Sequence, residues 1–265
     1  MKNKLLFSAL ALTILTGCTS NQKEEDKLVV AMELAYPPFE TKDQAGNPDG
    51  ISVDLARAFG DSIGQEVEIV NTAWDGLIPS LQTDKADMII SSMTITDDRK
   101  EQVDFSIPYA NTSLALLVNQ DSQINHVDDL NQSGKKIAVK LGSTGHIFAQ
   151  ENLQNCEIIV LADESACVTE VSQGKADAFI YDQLTIYRNV QNNPETTKAV
   201  YIEGIETEAW GVAVKKGNDE LVEQLNDFIN QYHQDGGFDD LTQKHLKEEK
   251  AAFDEYGFTW FFDLD

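Results

Sequence analysis

The feature that most narrows what this chain can become is an alternation of short apolar runs with helical stretches, and it occurs twice. Residues 28–32 read as a strand. Residues 51–63 follow helical spacing, with apolar side chains at 51, 55, 58, 59 and 63 and Gly64 as a stop. A strand over 67–70, a short helix over 74–81 and a strand over 87–90 come next. After an apolar strand over 114–118 the pattern restarts, with strands over 137–140, 158–161 and 176–181 and helices over 146–152, 165–173 and 184–190. Strand and helix at such short spacing require mainly parallel sheets with right-handed crossovers. The repetition argues for two lobes of α/β type. A strand over 209–214, a long amphipathic helix over 218–234 and a shorter helix over 239–247 close the pattern.

The bulk composition can supply such cores: 265 residues, 42% hydrophobic and 25% charged. The balance of 45 Asp+Glu against 20 Lys+Arg, net −25, repels phosphate backbones and argues against a nucleic-acid partner. His126, His146, His233 and His245 are scattered, with no zinc spacing and no nucleophile–base motif, so no metal or cofactor is expected.

The N-terminus is of another kind. Lys2 and Lys4 precede an apolar run from Leu5 to Ile14 that is too short to span a bilayer, which describes a secretory signal peptide. Leu15-Thr16-Gly17-Cys18 then resembles the bacterial lipobox, which implies cleavage after residue 17 and a lipid anchor on Cys18. Loss of Lys2 and Lys4 takes the net charge from −25 to −27. Residues 18–27 are polar and aperiodic, a flexible spacer behind the anchor. Cys156 and Cys167 flank a five-residue strand spanning about 16 Å, too far for a disulfide, so free thiols are favoured. The last residues crowd Phe253, Tyr256, Phe258, Trp260, Phe261 and Phe262 together. These rings either dock on the parent lobe as a strap or form an exposed patch.

Site chemistry concentrates at strand ends, where open α/β sheets place their ligands. Ser91, Ser92 and Thr94 follow the 87–90 strand, Asp97 and Asp98 suit a helix's first turn, and the planar fork of Arg99 matches a carboxylate. The plainer reading is a strand, a Thr cap and a solvated arginine. The loop Gly142-Ser143-Thr144-Gly145 joins strand to helix and offers backbone N–H groups to an anion, without matching a P-loop. Tyr181-Asp182 ends a strand and can offer a carboxylate to an ammonium. Glu33, Tyr36 and Trp74 supply an acid and two rings for a long cationic or polar chain.

Taken together, Tyr36-Pro37-Pro38-Phe39, Gly50-Ile51-Ser52-Val53-Asp54-Leu55, Trp74-Asp75-Gly76-Leu77-Ile78-Pro79-Ser80-Leu81, Thr94-Ile95-Thr96-Asp97-Asp98-Arg99, Gly142-Ser143-Thr144, Ala176-Asp177-Ala178 and Trp210-Gly211 resemble the polar amino-acid substrate-binding proteins of ABC importers. The resemblance covers roughly residues 27–246. It implies a two-lobed type II periplasmic-binding clamshell, with lobe 1 from 28–113 plus 211–246, lobe 2 from 114–210, crossover strands near 113–118 and 208–212, and a tail over 247–265. It implies Arg99 on a ligand α-carboxylate, helped by amides near Ser143 and Thr144. Asp182, the Ser92 carbonyl and the Thr94 hydroxyl then meet the α-ammonium. Tyr36 and Trp74 sandwich the side chain, with Glu33 at its far end; Ser91 and Lys140 complete the ligand set.

The expected function is capture of one free L-amino acid for an ABC permease by a monomeric, lipid-anchored receptor on the extracytoplasmic face of the membrane. A basic amino acid is the first choice, and glutamine or another polar one the second. A same-fold dehydratase using Glu33 or Asp182 as general acid or base, and a sensory binding module, are the alternatives from other classes. Two departures stand out: Ile51 and Ser52 occupy positions where the family often has an aromatic and an acid, and the aromatic tail lies outside the common pattern.

Overall fold

A computed structural model describes residues 27–202, 205 and 207–264. The expected signal peptide, the Cys18 anchor and nearly all of the spacer lie outside the described residues. The strands are β1 (Leu28–Met32), β2 (Thr41–Lys42), β3 (Pro48–Asp49), β4 (Val67–Asn71), β5 (Met88–Ile89), β6 (Val103–Phe105), β7 (Ala110–Thr112), β8 (Leu114–Asn119), β9 (Lys136–Lys140), β10 (Glu157–Leu161), β11 (Ala178–Asp182), β12 (Thr197–Tyr201), β13 (Glu208–Trp210) and β14 (Ala213–Lys215). The helices are α1 (Ile51–Ile63), α2 (Leu77–Gln82), α3 (Asp97–Lys100), α4 (Thr144–Asn152), α5 (Glu164–Ser172), α6 (Gln183–Asn192), α7 (Asp219–Gln234), α8 (Gly237–His245) and α9 (Lys247–Tyr256). Among the described residues, no helix is long and apolar enough to cross a membrane.

The two main sheets have the same plan. One runs β4-β1-β5-β14-β6 and the other β10-β9-β11-β8-β12. In each, three parallel strands are extended by two antiparallel pairings. The first antiparallel strand in each, β14 or β8, arrives through the short ladder of β7 with β13 that joins the sheets. A chain that enters from the other lobe meets the parallel strands head-on, which explains the reversal. The central strands are apolar throughout because helices cover both faces: β5 and all but the last residue of β8 are buried.

Several elements differ from the sequence expectation. The single strand expected over 209–214 is two strands, β13 and β14, broken at Gly211. A Cβ on Gly211 would lie 2.8 Å from the Ile95 side chain, so the chain can change sheets only where no side chain intervenes. The helix expected over 74–81 begins as a 3-10 turn over Trp74–Gly76, and Pro79 stands in the first turn of α2, where no N–H is needed. β6 and β7 have three residues each, too few to display a period. β12 is a half-buried edge strand.

The C-terminal segment forms α9 and then docks. Phe253, Trp260, Phe261 and Phe262 are buried in the core of the first lobe, and only Tyr256 stays largely exposed at 55%. The Phe261 carbonyl accepts a hydrogen bond from Asn111 of β7 (2.7 Å), and the Trp260 indole donates to Thr242 (3.2 Å). The segment also touches the second lobe, through Phe258 against Tyr201 (4.7 Å between centroids) and Glu249 against Arg188 (3.7 Å). Both described cysteines are free. Cys167 is buried on the sheet side of α5, where burial pushes its thiol up to about 12.

Candidate ligand-binding site

Between the lobes lies a cavity of about 40 Å³, room for a few water molecules or one small solute. Its wall includes all eleven residues singled out above: Glu33, Tyr36, Trp74, Ser91, Ser92, Thr94, Arg99, Lys140, Ser143, Thr144 and Asp182. Leu114, Tyr181, Glu208 and Trp210 complete it. The carboxyl ends of β1, β5, β9 and β11 converge here, as the topology of open parallel sheets dictates.

On the first lobe, local hydrogen bonds hold the strand ends in place. Ser91 Oγ accepts from the Glu33 N–H (3.0 Å), and Asn71 Oδ1 accepts from the Leu34 N–H (3.0 Å). Thr96 caps α3 by accepting from the Arg99 N–H (3.3 Å), which sets the arginine one turn from the strand end. The guanidinium is buried and donates to the Thr94 carbonyl (2.6 Å) and, across the cleft, to the Gly142 carbonyl (3.1 Å). Burial lowers the pKa of Arg99, while the nearby Glu208 raises it. Arg99 and Lys140 both lie over the Trp74 ring, at 5.2 and 5.3 Å from its centroid.

On the second lobe, Ser143 caps α4 by accepting from the His146 N–H (3.1 Å). Gly145 brings that helix end against β11: a Cβ there would sit 2.6 Å from the Ile180 carbonyl oxygen. Asp182 caps α6 through Oδ1, which accepts from the Thr185 N–H (3.0 Å). Its Oδ2 is buried with no well-formed hydrogen bond, as is the hydroxyl of Tyr36. Desolvation raises the pKa of Asp182, and the proximity of Tyr36 and Thr185 offsets only part of that rise. The result is a carboxylate held away from water with one oxygen unsatisfied.

At the far side of the cavity Lys140 and Glu33 form an ion pair across the cleft, their side chains only 5% and 13% exposed. The acid that sequence reasoning set against a cationic ligand terminus already faces a cation. Beneath the floor, Glu40 is fully buried and accepts hydrogen bonds from Ser52 and from Ser92 (3.0 and 3.2 Å). Desolvation pushes its carboxyl up to about 8. Ser92 has φ 48, a left-handed conformation that costs a serine energy and is held by its surroundings. Ser52, one of the two departures noted in the sequence, is thus a partner of the site's floor.

Sequence reasoning did not single out Glu208, Tyr181, Trp210, Leu114 or Glu40 as site residues. Tyr181 and Trp210 stood in the noted pairs Tyr181-Asp182 and Trp210-Gly211 without a ligand role of their own. Glu208 opens a crossover strand whose three residues have no pattern of their own. Its Oε2 accepts from Thr94 Oγ1 (3.1 Å) on one lobe and Thr144 Oγ1 (2.9 Å) on the other. Burial raises the pKa of this carboxyl too.

Among proteins of known function, the L-cystine-binding protein TcyJ of Escherichia coli is 32% identical over 230 residues, covering 86% of this chain and 85% of that protein. Among solved structures, an ancestral arginine-binding protein bound to glutamine superposes with a TM-score of 0.76 at 36% identity, covering 83% of this chain and 97% of that one. An ancestral amino-acid-binding protein described as a precursor of cyclohexadienyl dehydratase gives a TM-score of 0.77 at 36% identity, covering 83% and 95%. The sequence profile of bacterial extracellular solute-binding proteins, family 3, matches residues 28–248. This chain, a two-lobed α/β clamshell closed over a charged cavity, belongs to that family.

Proposed function

We propose that this protein captures one free L-amino acid with an uncharged, hydrogen-bonding side chain, glutamine foremost, and delivers it to an ABC permease. The observation that carries the choice is the buried Lys140–Glu33 pair. An amide presents a carbonyl oxygen that accepts from the Lys140 ammonium and an NH2 group that donates to the Glu33 carboxylate, so both charges keep a partner. A lysine or arginine side chain would bring a third cation beside Trp74, whose ring already lies under Arg99 and Lys140. This reverses the order of preference drawn from sequence, where Glu33 was read without its partner.

The α-end is supported by two groups. A guanidinium has five N–H donors, and Arg99 directs one at Thr94 and one at Gly142, which leaves three for a ligand carboxylate. The unsatisfied Asp182 Oδ2 matches an α-ammonium. The Lys140–Glu33 pair also suits the second amino-acid head of cystine. A dehydratase with Glu33 as its general acid would need that group free, and Glu33 is held by Lys140. A Cys18 lipid anchor completes the reading, and loss of palmitate labelling in Cys18→Ser tests it.

The deciding experiment is calorimetric titration of the chain from residue 19 with the free amino acids and cystine. Glutamine is expected to bind and arginine to bind far more weakly. Tight binding of arginine or lysine would refute the role given to the Lys140–Glu33 pair. No binding of any amino acid would refute the receptor function itself.

A further inference from the structure

The cavity holds one acid that the zwitterion scheme does not use. Glu208 opens β13 and pairs with Thr112 in the short ladder between the lobes, so it is mounted on the hinge. A single oxygen of its carboxylate receives two hydroxyl groups, Thr94 from the segment after β5 and Thr144 from the first turn of α4. The hydroxyls belong to opposite lobes and meet on a residue of the strand that connects them.

The chemistry of a hydroxyl gives this arrangement a direction. Each carries one hydrogen and two lone pairs, and it serves as donor or acceptor according to how the hydrogen turns. An ionised carboxylate only accepts. Glu208 therefore takes the hydrogens of both Thr94 and Thr144 and leaves only lone pairs to face the cavity. Asp182 Oδ2, also buried in that wall, is likewise an acceptor left unsatisfied. Acceptors in this wall suit an ammonium and repel a carboxylate, which is left to Arg99.

We propose that Glu208 is a positioning residue that fixes the polarity of the α-end: by holding the hydroxyl hydrogens of Thr94 and Thr144 it makes both side chains acceptors, so that the closed cleft selects ligands bearing an α-ammonium. The inference rests on the amino-acid reading of the cavity. It assigns to the hinge a chemical task, discrimination between an amino acid and its des-amino counterpart.

The test compares L-glutamine with glutaramate, the same molecule without the α-ammonium, by titration calorimetry. Glu208→Gln keeps the shape of the side chain but adds two donors, which lets one threonine hydroxyl turn toward the ligand. The preference of the wild type for glutamine over glutaramate is expected to fall about tenfold or more in Glu208→Gln, as befits a hydrogen bond to a charged group. Thr94→Val should lower the same ratio in the wild type but add little in the Glu208→Gln background, since the two act as one unit. Thr144→Val supplies an independent variant that leaves Glu208 in place. Equal weakening of both ligands, an unchanged ratio, or additive losses from Glu208→Gln and Thr94→Val would overturn the assignment and leave the receptor function standing. Failure of the wild type to bind any amino acid would overturn both, and is distinguished by occurring before any substitution is made.

Discussion

Replacing Glu40 with glutamine should stabilise the protein, and the gain should grow from pH 5 to pH 8. Glu40 is 0% exposed, and its hydrogen-bond donors are the hydroxyls of Ser52 and Ser92. Its carboxyl is raised from 4.5 to about 8: desolvation drives the rise, Ser52, Ser92 and Lys140 hold it back, and Glu33 adds a smaller push upward. The folded pKa exceeds the unfolded one, and the group is an acid. Below pH 4.5 both states hold the proton, and this residue costs nothing. Between pH 4.5 and about 8 the unfolded chain ionises while the fold keeps Glu40 neutral. The unfolded state then binds fewer protons, and stability falls by about 1.4 kcal/mol per pH unit. Across the whole interval the loss is about 4–5 kcal/mol at most, after which both states are ionised and the curve flattens. A glutamine at this position has no proton to lose, and its carbonyl oxygen still accepts from both serines.

The assay is equilibrium unfolding of wild type and Glu40→Gln at pH 5, 6, 7 and 8. At about 2–4 °C per kcal/mol for a domain of this size, the difference in Tm should widen by about 10 °C over the range. Glu164, Asp182 and Glu208, whose carboxyls are also raised by burial, remain in both proteins and cancel in the difference. A difference that stays constant from pH 5 to pH 8 would refute the reasoning, because Glu40 would then titrate like an ordinary glutamate.

Lys140→Met should free Glu33 and exchange the preference of the cavity: glutamine binding weakens about tenfold, and arginine or lysine binding gains by a similar factor, read by calorimetry. Arg99→Ala should weaken every amino-acid ligand by about 100-fold or more, since it removes the principal charged partner of the α-carboxylate; retained tight binding would sink the carboxylate assignment. Phe261→Ala should cost about 3–5 kcal/mol in chemical denaturation, because the ring is 1% exposed and packs on Phe39, Trp210 and Phe253.

The parts of this fold legible in sequence are those that local periodicity specifies. The helix over 51–63 was readable with both ends, because Gly64 adopts the left-handed cap that ends it. The apolar runs of β1, β8 and β11 announced buried strands. The site was readable as residue types at strand ends: hydroxyls at 91, 92 and 94, Arg99 just beyond a Thr cap, the 142–145 loop and the carboxylate of Asp182; the structure adds that Ser143 and Asp182 cap two helices of the second lobe. A side chain that caps a helix at a strand's end is placed by local geometry, so its position survives whatever the rest of the fold does.

What escaped the sequence is what arises only between distant segments. Lys140 stands 107 residues from Glu33, and no pattern within either strand shows that the two charges neutralise each other. Glu208 stands 114 residues from Thr94 and 64 from Thr144, on a three-residue strand whose neighbours are chosen by the hinge. The tail's rings gave no sign of their partners, which come from both lobes. The sequence by itself therefore determined the α/β class, the two repeats and the list of groups at the strand ends, because these follow from spacing along the chain. Only the tertiary structure decided which of those groups remain free for a ligand. Electrostatic and hydrogen-bond partnership depends on distance in space and on the loss of water at closure, and neither is encoded by separation in sequence.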